Sequence, residues 1–224
     1  MKIDVAVTVL LVGFGRFPRA AFNATGPLVR CLASRRRPAL LQVTRIAHVL
    51  PTSYRCVEDE LPDLIARYRP DVVILFGLAQ RSTYVRIETR ATNRRSQLFP
   101  DVEGCVADSP RIRRGAALWM CSKAPHRRLC VAARAAGVSA RLSHDAGRYL
   151  CNFAYWLALE RATEADGPRL VQFIHVPAID RNRHPQRIGG RRRWTASDLL
   201  RAGEQIVLEL VACARSSAAN HAGA

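Results

Sequence analysis

Apolar runs of five to ten residues that alternate with stretches of helical period predict an α/β fold. The expected form is a single-domain three-layer α/β/α sandwich, with helices on both faces of a twisted, mostly parallel (mixed) central sheet. Three observations carry this. The runs VAVTVLLVGF, ALLQVTRIAHVL, DVVILFG and LVQFIHV have the length and β-branched content of buried strands. Helical spacing fills the gaps between them, and 224 residues with 49% hydrophobic content suffice for one substantial core.

In chain order, residues 5–14 read as the first buried strand and 25–36 as a helix. The next apolar run is 39–50, followed by a helix over 56–69. Within that helix Val57, Leu61, Leu64, Ile65 and Tyr68 recur every three or four residues, as a buried stripe does, and Pro70 stops it. The strand at 72–76 follows. From 84 to 92, YVRIETRAT alternates apolar and charged residues like a half-buried strand, which sets a carboxylate, Glu88, inside a sheet. Residues 93–122 read as a long irregular loop, and 178–195 as another. Helices are expected at 123–136, 147–163 and 196–214, with 215–224 a disordered carboxyl-terminal tail beyond the domain of residues 1–214.

Composition narrows the function. No uncharged apolar run reaches 18 residues, and the amino terminus carries an acidic residue and no cleavage site. The expectation is a cytoplasmic protein with no membrane partner. Seven cysteines, an odd number without a C-x-x-C pair, suit reduced thiols. The net charge of +17 raises nucleic acid as a partner. Against that, 33 of the 35 basic residues are arginine, set in short knots such as 35–37, 113–114 and 191–193 across the whole chain. Such knots suit a solvated surface better than one phosphate-binding face.

The stretch DAGRYLCNFAYWLALERA places Cys151 in the first turn of a helix entered through Gly147. A helix amino terminus offers partial positive charge and free N–H groups, which favour an anion and can stabilise an oxyanion. Cys31, Cys56, Cys121, Cys130 and Cys213 read as core filler. Cys105, Cys121, His126 and Cys130, separated by 16, 5 and 4 residues, contain no paired metal-ligand motif, so no metal is expected. His175 ends a fully apolar strand, where α/β folds place their ligand crevice. Alone it would read as a core histidine. With Cys151 and Glu88 it completes a nucleophile, base and orienter. Glu88 has a plainer reading too, as a salt-bridge partner of Arg86 or Arg90.

The blocks SHDAGRYLCN, FIHVP and RIETRATN resemble the three signatures of the pyroglutamyl peptidase I family, cysteine peptidases that remove an amino-terminal pyroglutamate. The resemblance implies catalytic roles for Cys151 as nucleophile, His175 as base and Glu88 as the third member. The early VGFGRFPRAAFNATGP resembles the family loop that walls the pyrrolidone ring, with Gly13, Phe14, Phe17 and Asn23 in register, so Phe14, Phe17 and Asn23 become candidate substrate-binding residues. It departs at Arg16, Pro18, Arg19 and Ala24-Thr25, and later at Leu78, Gln80, Thr89 and Val102.

The implied reaction is hydrolysis of peptides with an amino-terminal pyroglutamate through a thioester acyl-enzyme, with no cofactor and, by family likeness, a homo-oligomer, a tetramer. Two alternatives stand beside it. One is a divergent hydrolase of another small acyl amide. The other is an inactive scaffold binding nucleic acid through its arginines.

Overall fold

The computed structural model describes residues 6–18, 20–180, 187–188, 191–192 and 194–222. Its centre is a six-stranded sheet in the order β2-β1-β3-β8-β4-β7, formed by β1 (Val7–Phe14), β2 (Val43–Leu50), β3 (Val72–Ala79), β4 (Val85–Glu88), β7 (Ala140–Ser143) and β8 (Leu170–Pro177). The first four strands in that order run parallel. β4 lies antiparallel to β8 and parallel to β7, which makes the sheet mixed. Because side chains alternate across a strand, the sheet feeds two cores. α1 (Thr25–Ser34), α3 (His126–Ala135) and α5 (Ala196–Ala222) close one face around Val9, Leu11, Ile74 and Ile174. α2 (Tyr54–Tyr68) and α4 (Leu150–Arg161) close the other around Leu10, Val12, Leu75 and Phe173. The sandwich read from the sequence is the observed fold.

Local chemistry explains most boundaries. Ser53 accepts a hydrogen bond from the Cys56 N–H and starts α2 two residues earlier than periodicity suggests. The helix ends at Arg69 in the left-handed region, φ 41°, with Pro70 behind it. Tyr68, at the end of the expected stripe, is exposed under the Arg67 guanidinium. Gly13 lies so close to α1 that a Cβ would stand 2.7 Å from the Thr25 carbonyl oxygen.

Three expectations change. The strand expected over 84–92 breaks at Thr89: β4 stays in the main sheet, while β5 (Arg90–Thr92) leaves it to pair with β6 (Trp119–Cys121) in a separate ribbon. Thr89 drives the switch, its N–H bonded to Ser143 and its carbonyl to the Ser122 N–H. Second, α5 runs on to Ala222 instead of ending at 214, so most of the expected tail continues a helix, and 223–224 lie outside the described residues. Third, Cys31 and Cys121 are exposed, Cys56 and Cys213 half-buried, and only Cys130 of that group is a buried core residue. All seven thiols are free. The side chains of the arginine knot at 191–193 and much of the loop at 178–195 lie outside the described residues.

Candidate active site

Sheet register assembles the site. His175 on β8 stands directly beside Gly77 on the parallel β3 and opposite Arg86 on the antiparallel β4. Glu88, two residues beyond Arg86, shares its face and is a diagonal neighbour of His175. Its Oε1 lies 2.8 Å from His175 Nδ1 and 3.1 Å from Arg86 Nε. One carboxylate oxygen thus meets both the imidazole and the guanidinium, so the salt bridge to Arg86 does not displace the contact with His175. The other, Oε2, is equally buried and accepts from neither.

Glu88 is fully buried and its main chain is fastened from two elements. Its carbonyl accepts from the Tyr155 hydroxyl of α4 at 3.0 Å and from Gln172 Nε2 of β8 at 2.8 Å. Burial and the adjacent carboxylate push the Tyr155 phenol up, so it donates as a neutral O–H. Gln172 had a visible signal, a lone amide inside an apolar strand. Tyr155 had none, because α4 is apolar around almost its whole circumference.

Cys151 arrives from above the sheet. Gly147, φ 86°, turns the chain into α4, whose N-cap residue Tyr149 makes no side-chain cap, so no cap side chain takes the N–H groups of the first turn. The half-buried thiol interacts with the His175 imidazole and lies over Gly77, where a Cβ would stand 2.9 Å from Sγ. Gly77 thus makes room for the sulfur. Burial pulls the His175 imidazole down, yet its hydrogen bonds and charge interactions with Cys151 and Glu88 outweigh that and push it up to about 9. The ring is set to carry a proton at neutral pH.

Beneath the imidazole lies Phe173, with ring centroids 4.8 Å apart, and Phe173 in turn packs on Phe14 at 6.2 Å and Tyr155 at 5.6 Å. Phe14 is buried at the end of β1 on this same face. Phe17 is half-buried in a tight turn closed by its backbone bonds with Ala20. Asn23 is used within the loop: Nδ2 donates to the Gly15 carbonyl, and Oδ1 accepts from the Thr25 N–H and hydroxyl. Its amide fixes the loop's shape. Thr25 retains a hydroxyl that also accepts from the Phe14 N–H.

Of the departures at the site, Thr89 bonds the His144 ring and the Ser143 carbonyl, while Arg86 supplies the cation beside Glu88. Beside Arg86 a cleft of about 540 Å³ opens between Gln80, Ser82 and Tyr84.

Cys105, Cys121, His126 and Cys130 form no group able to hold an ion among the described residues; Cys105 clusters instead with Asp101 and Glu103. There the Asp101 carboxylate is already taken by the N–H groups of Tyr54, Glu103 and Cys105. Among the described residues no helix is long and apolar enough to cross a membrane.

A thiol at a helix start, beside a histidine that bonds a buried glutamate, suits a hydrolase of the cysteine-peptidase class. Residues 7–190 match the family model described as pyroglutamyl peptidase, and the chain belongs to that family. It is 30% identical over 203 residues to the pyrrolidone-carboxylate peptidase of Thermococcus kodakarensis, covering 91% of this chain and 95% of that one. It is 26% identical over 213 residues to rat pyroglutamyl-peptidase 1, covering 92% and 95%. Among solved structures, pyrrolidone carboxyl peptidase from Thermococcus litoralis superposes with a TM-score of 0.81 at 25% identity, over 91% of this chain and 93% of that one.

Proposed function

We propose that this chain hydrolyses the bond following an amino-terminal pyroglutamyl residue, with Cys151, His175 and Glu88 as its catalytic triad. The carrying observation is the convergence of side chains from β4, α4 and β8 on the His175 imidazole, which bonds Glu88, 87 residues away in sequence, and interacts with the Cys151 thiol. The thiolate adds to the lactam-bearing carbonyl carbon, and the oxyanion is met by N–H groups of the first turn of α4. The His175 imidazolium then gives its proton to the departing amine as the C–N bond breaks, leaving a thioester. Water, deprotonated by the now neutral imidazole, attacks that thioester and returns the thiol. Glu88 holds the Nδ1 proton and so fixes the tautomer.

Phe14 and Phe17 supply the apolar walls for the uncharged ring, and Asn23 holds the loop that presents them. The route uses only protein side chains, without a metal or organic cofactor. A cytoplasmic location and a tetramer accord with the same reading. The test is release of a fluorescent amine from a pyroglutamyl-amide reporter under reductant, comparing the parent with Cys151→Ser. Hydrolysis by the parent alone supports the assignment. A variant as active as the parent, or a folded parent without activity, overturns it.

A further inference from the structure

A second concavity, distinct from the one beside Arg86, opens where the β5–β6 ribbon meets the turn that leads into α4. It measures about 270 Å³ and is walled by Arg90, Arg94, Trp119, His144, Asp145 and Arg148. Most buried or half-buried arginines nearby have a carboxylate: Arg95 meets Asp108 and Arg113 meets Glu160. Half-buried Arg90 and the exposed Arg94 and Arg148 form no such ion pair with a carboxylate among the described residues. Arg90 is held by its Nε donating to the His144 carbonyl at 3.0 Å, with its guanidinium 5.2 Å from the centre of the Trp119 ring. That leaves most of its donors unspent. The one acid in the cleft, Asp145, uses Oδ1 to accept from the Gly147 N–H.

The cleft is fastened to the catalytic residues through their chain neighbours. Asn152, next to Cys151, bonds the Thr92 N–H at 2.8 Å and the Thr92 and Arg94 carbonyls at 2.8 and 3.0 Å. Arg148 precedes Cys151 by three residues. His144 lies 2.6 Å from the hydroxyl of Thr89, the neighbour of Glu88. Three guanidinium groups against the single carboxylate of Asp145 leave the hollow with an excess of positive charge that gains by taking an anion, and their planar forks match a carboxylate. The half-exposed Trp119 adds an apolar side wall.

Resting on the peptidase reading above, we propose that this cleft binds a carboxylate on the peptide side of the scissile bond. The favoured substrates are then pyroglutamyl peptides with an acidic residue within the first few positions after the ring, or short ones whose own terminal carboxylate reaches the cleft. Two sources of one chemistry are separated by amidating the carboxyl terminus.

The experiment compares four peptides: pyroglutamyl-Ala-Glu-Ala amide, the Lys and Ala counterparts, and the Ala peptide as free acid. Each is assayed with the parent and with an Arg94→Ala/Arg148→Ala double variant, alongside the small reporter. In the parent, kcat/KM for the Glu peptide should exceed that for the Ala peptide by about tenfold at low salt, mostly through KM, and the excess should shrink as salt rises. In the double variant the ratio should fall towards one. A preference of the free acid over its amide assigns the terminal carboxylate as ligand, and a preference confined to Glu assigns the side chain. Equal kcat/KM for Glu, Ala and Lys amides and for the free acid, with the reporter still cleaved, overturns the cleft proposal and leaves the peptidase reading intact. No cleavage of reporter or any peptide overturns the peptidase reading instead; anisotropy of the labelled peptides on the Cys151→Ala protein then judges the cleft, and equal affinity for all overturns it. A short single-stranded oligonucleotide that binds tightly at about 150 mM salt and is lost in the double variant would make the surface a nucleic-acid site and also overturn the proposal.

Discussion

Adding one methyl group at Gly77 should disable the site without replacing a side chain that does chemistry. A Cβ there would lie 2.7 and 2.8 Å from Phe173 Cζ and Cε1 and 2.9 Å from Cys151 Sγ. Ordinary carbon contacts need about 3.5–4.0 Å, so the ring and the sulfur must each retreat by roughly 0.6–1.3 Å. Neither retreat is free. Phe173 is fully buried between Phe14, Tyr155 and His175, so moving it tilts the imidazole, and moving the sulfur changes its approach to His175. Overpacking of this kind costs about 1–3 kcal/mol, which for a domain of this size lowers Tm by roughly 2–10 °C. A displacement near 1 Å at the reacting atoms costs on the order of 10²-fold in rate. Reporter kcat/KM and thermal unfolding of Gly77→Ala, measured side by side, test both. A variant with parental Tm and kcat/KM within about twofold of the parent would refute the reasoning.

Three further outcomes follow from the same geometry. Since His175 is pushed up to about 9, its proton is present through neutral pH and lost as pH rises through that value, so kcat/KM should fall on an alkaline limb near 9; Glu88→Gln removes one of the groups that raise it and should move the limb to lower pH, and a limb that stays put counts against Glu88 as the orienter. Asn93 is fully buried, with Oδ1 accepting from the Ile112 and Arg113 N–H groups and Nδ2 donating to the Arg113 carbonyl, so Asn93→Ala should cost about 2–4 kcal/mol in denaturant unfolding by orphaning those groups. Its stability matching the parent would mean that the loop tolerates them open. Glu204 bonds Arg37 and Arg35, which together outweigh burial and hold its carboxyl below the usual 4.5; its contribution is complete above that value and lost as pH falls through the lowered one. The stability gap between parent and Glu204→Gln should therefore narrow in acid, and a gap independent of pH would contradict the ion pairs.

Much of the candidate site is legible in the sequence. Cys151 was marked by a glycine turn before an apolar helix and His175 by its place at a strand's end, because strand ends and helix starts are set by neighbours in sequence. The weaker expectations failed where long-range contacts decide. Cys31 and Cys121 look like core residues by type, yet type does not report which side of an element meets the core. The run 84–92 has one unbroken alternation, but Thr89 is bonded by Ser143 and Ser122, which lie dozens of residues away, and the strand divides there. Asn23 is legible by its register in the loop, whereas the bonds of its amide to Gly15 and Thr25 are visible only in the fold.

The sequence alone determined the α/β class, the alternation of elements and the three blocks that mark the family, since periodicity, turn chemistry and residue order are local properties. Only the tertiary structure decided that β4 runs antiparallel to β8, which brings Arg86 opposite His175 and Glu88 diagonal to it. It also decided that Tyr155 and Gln172, 67 and 84 residues from Glu88, anchor the Glu88 carbonyl, and that Gly77 leaves the gap the thiol fills. Pairing partners and register follow from the lowest free energy of the whole packed sheet, and no short window of the chain contains that information.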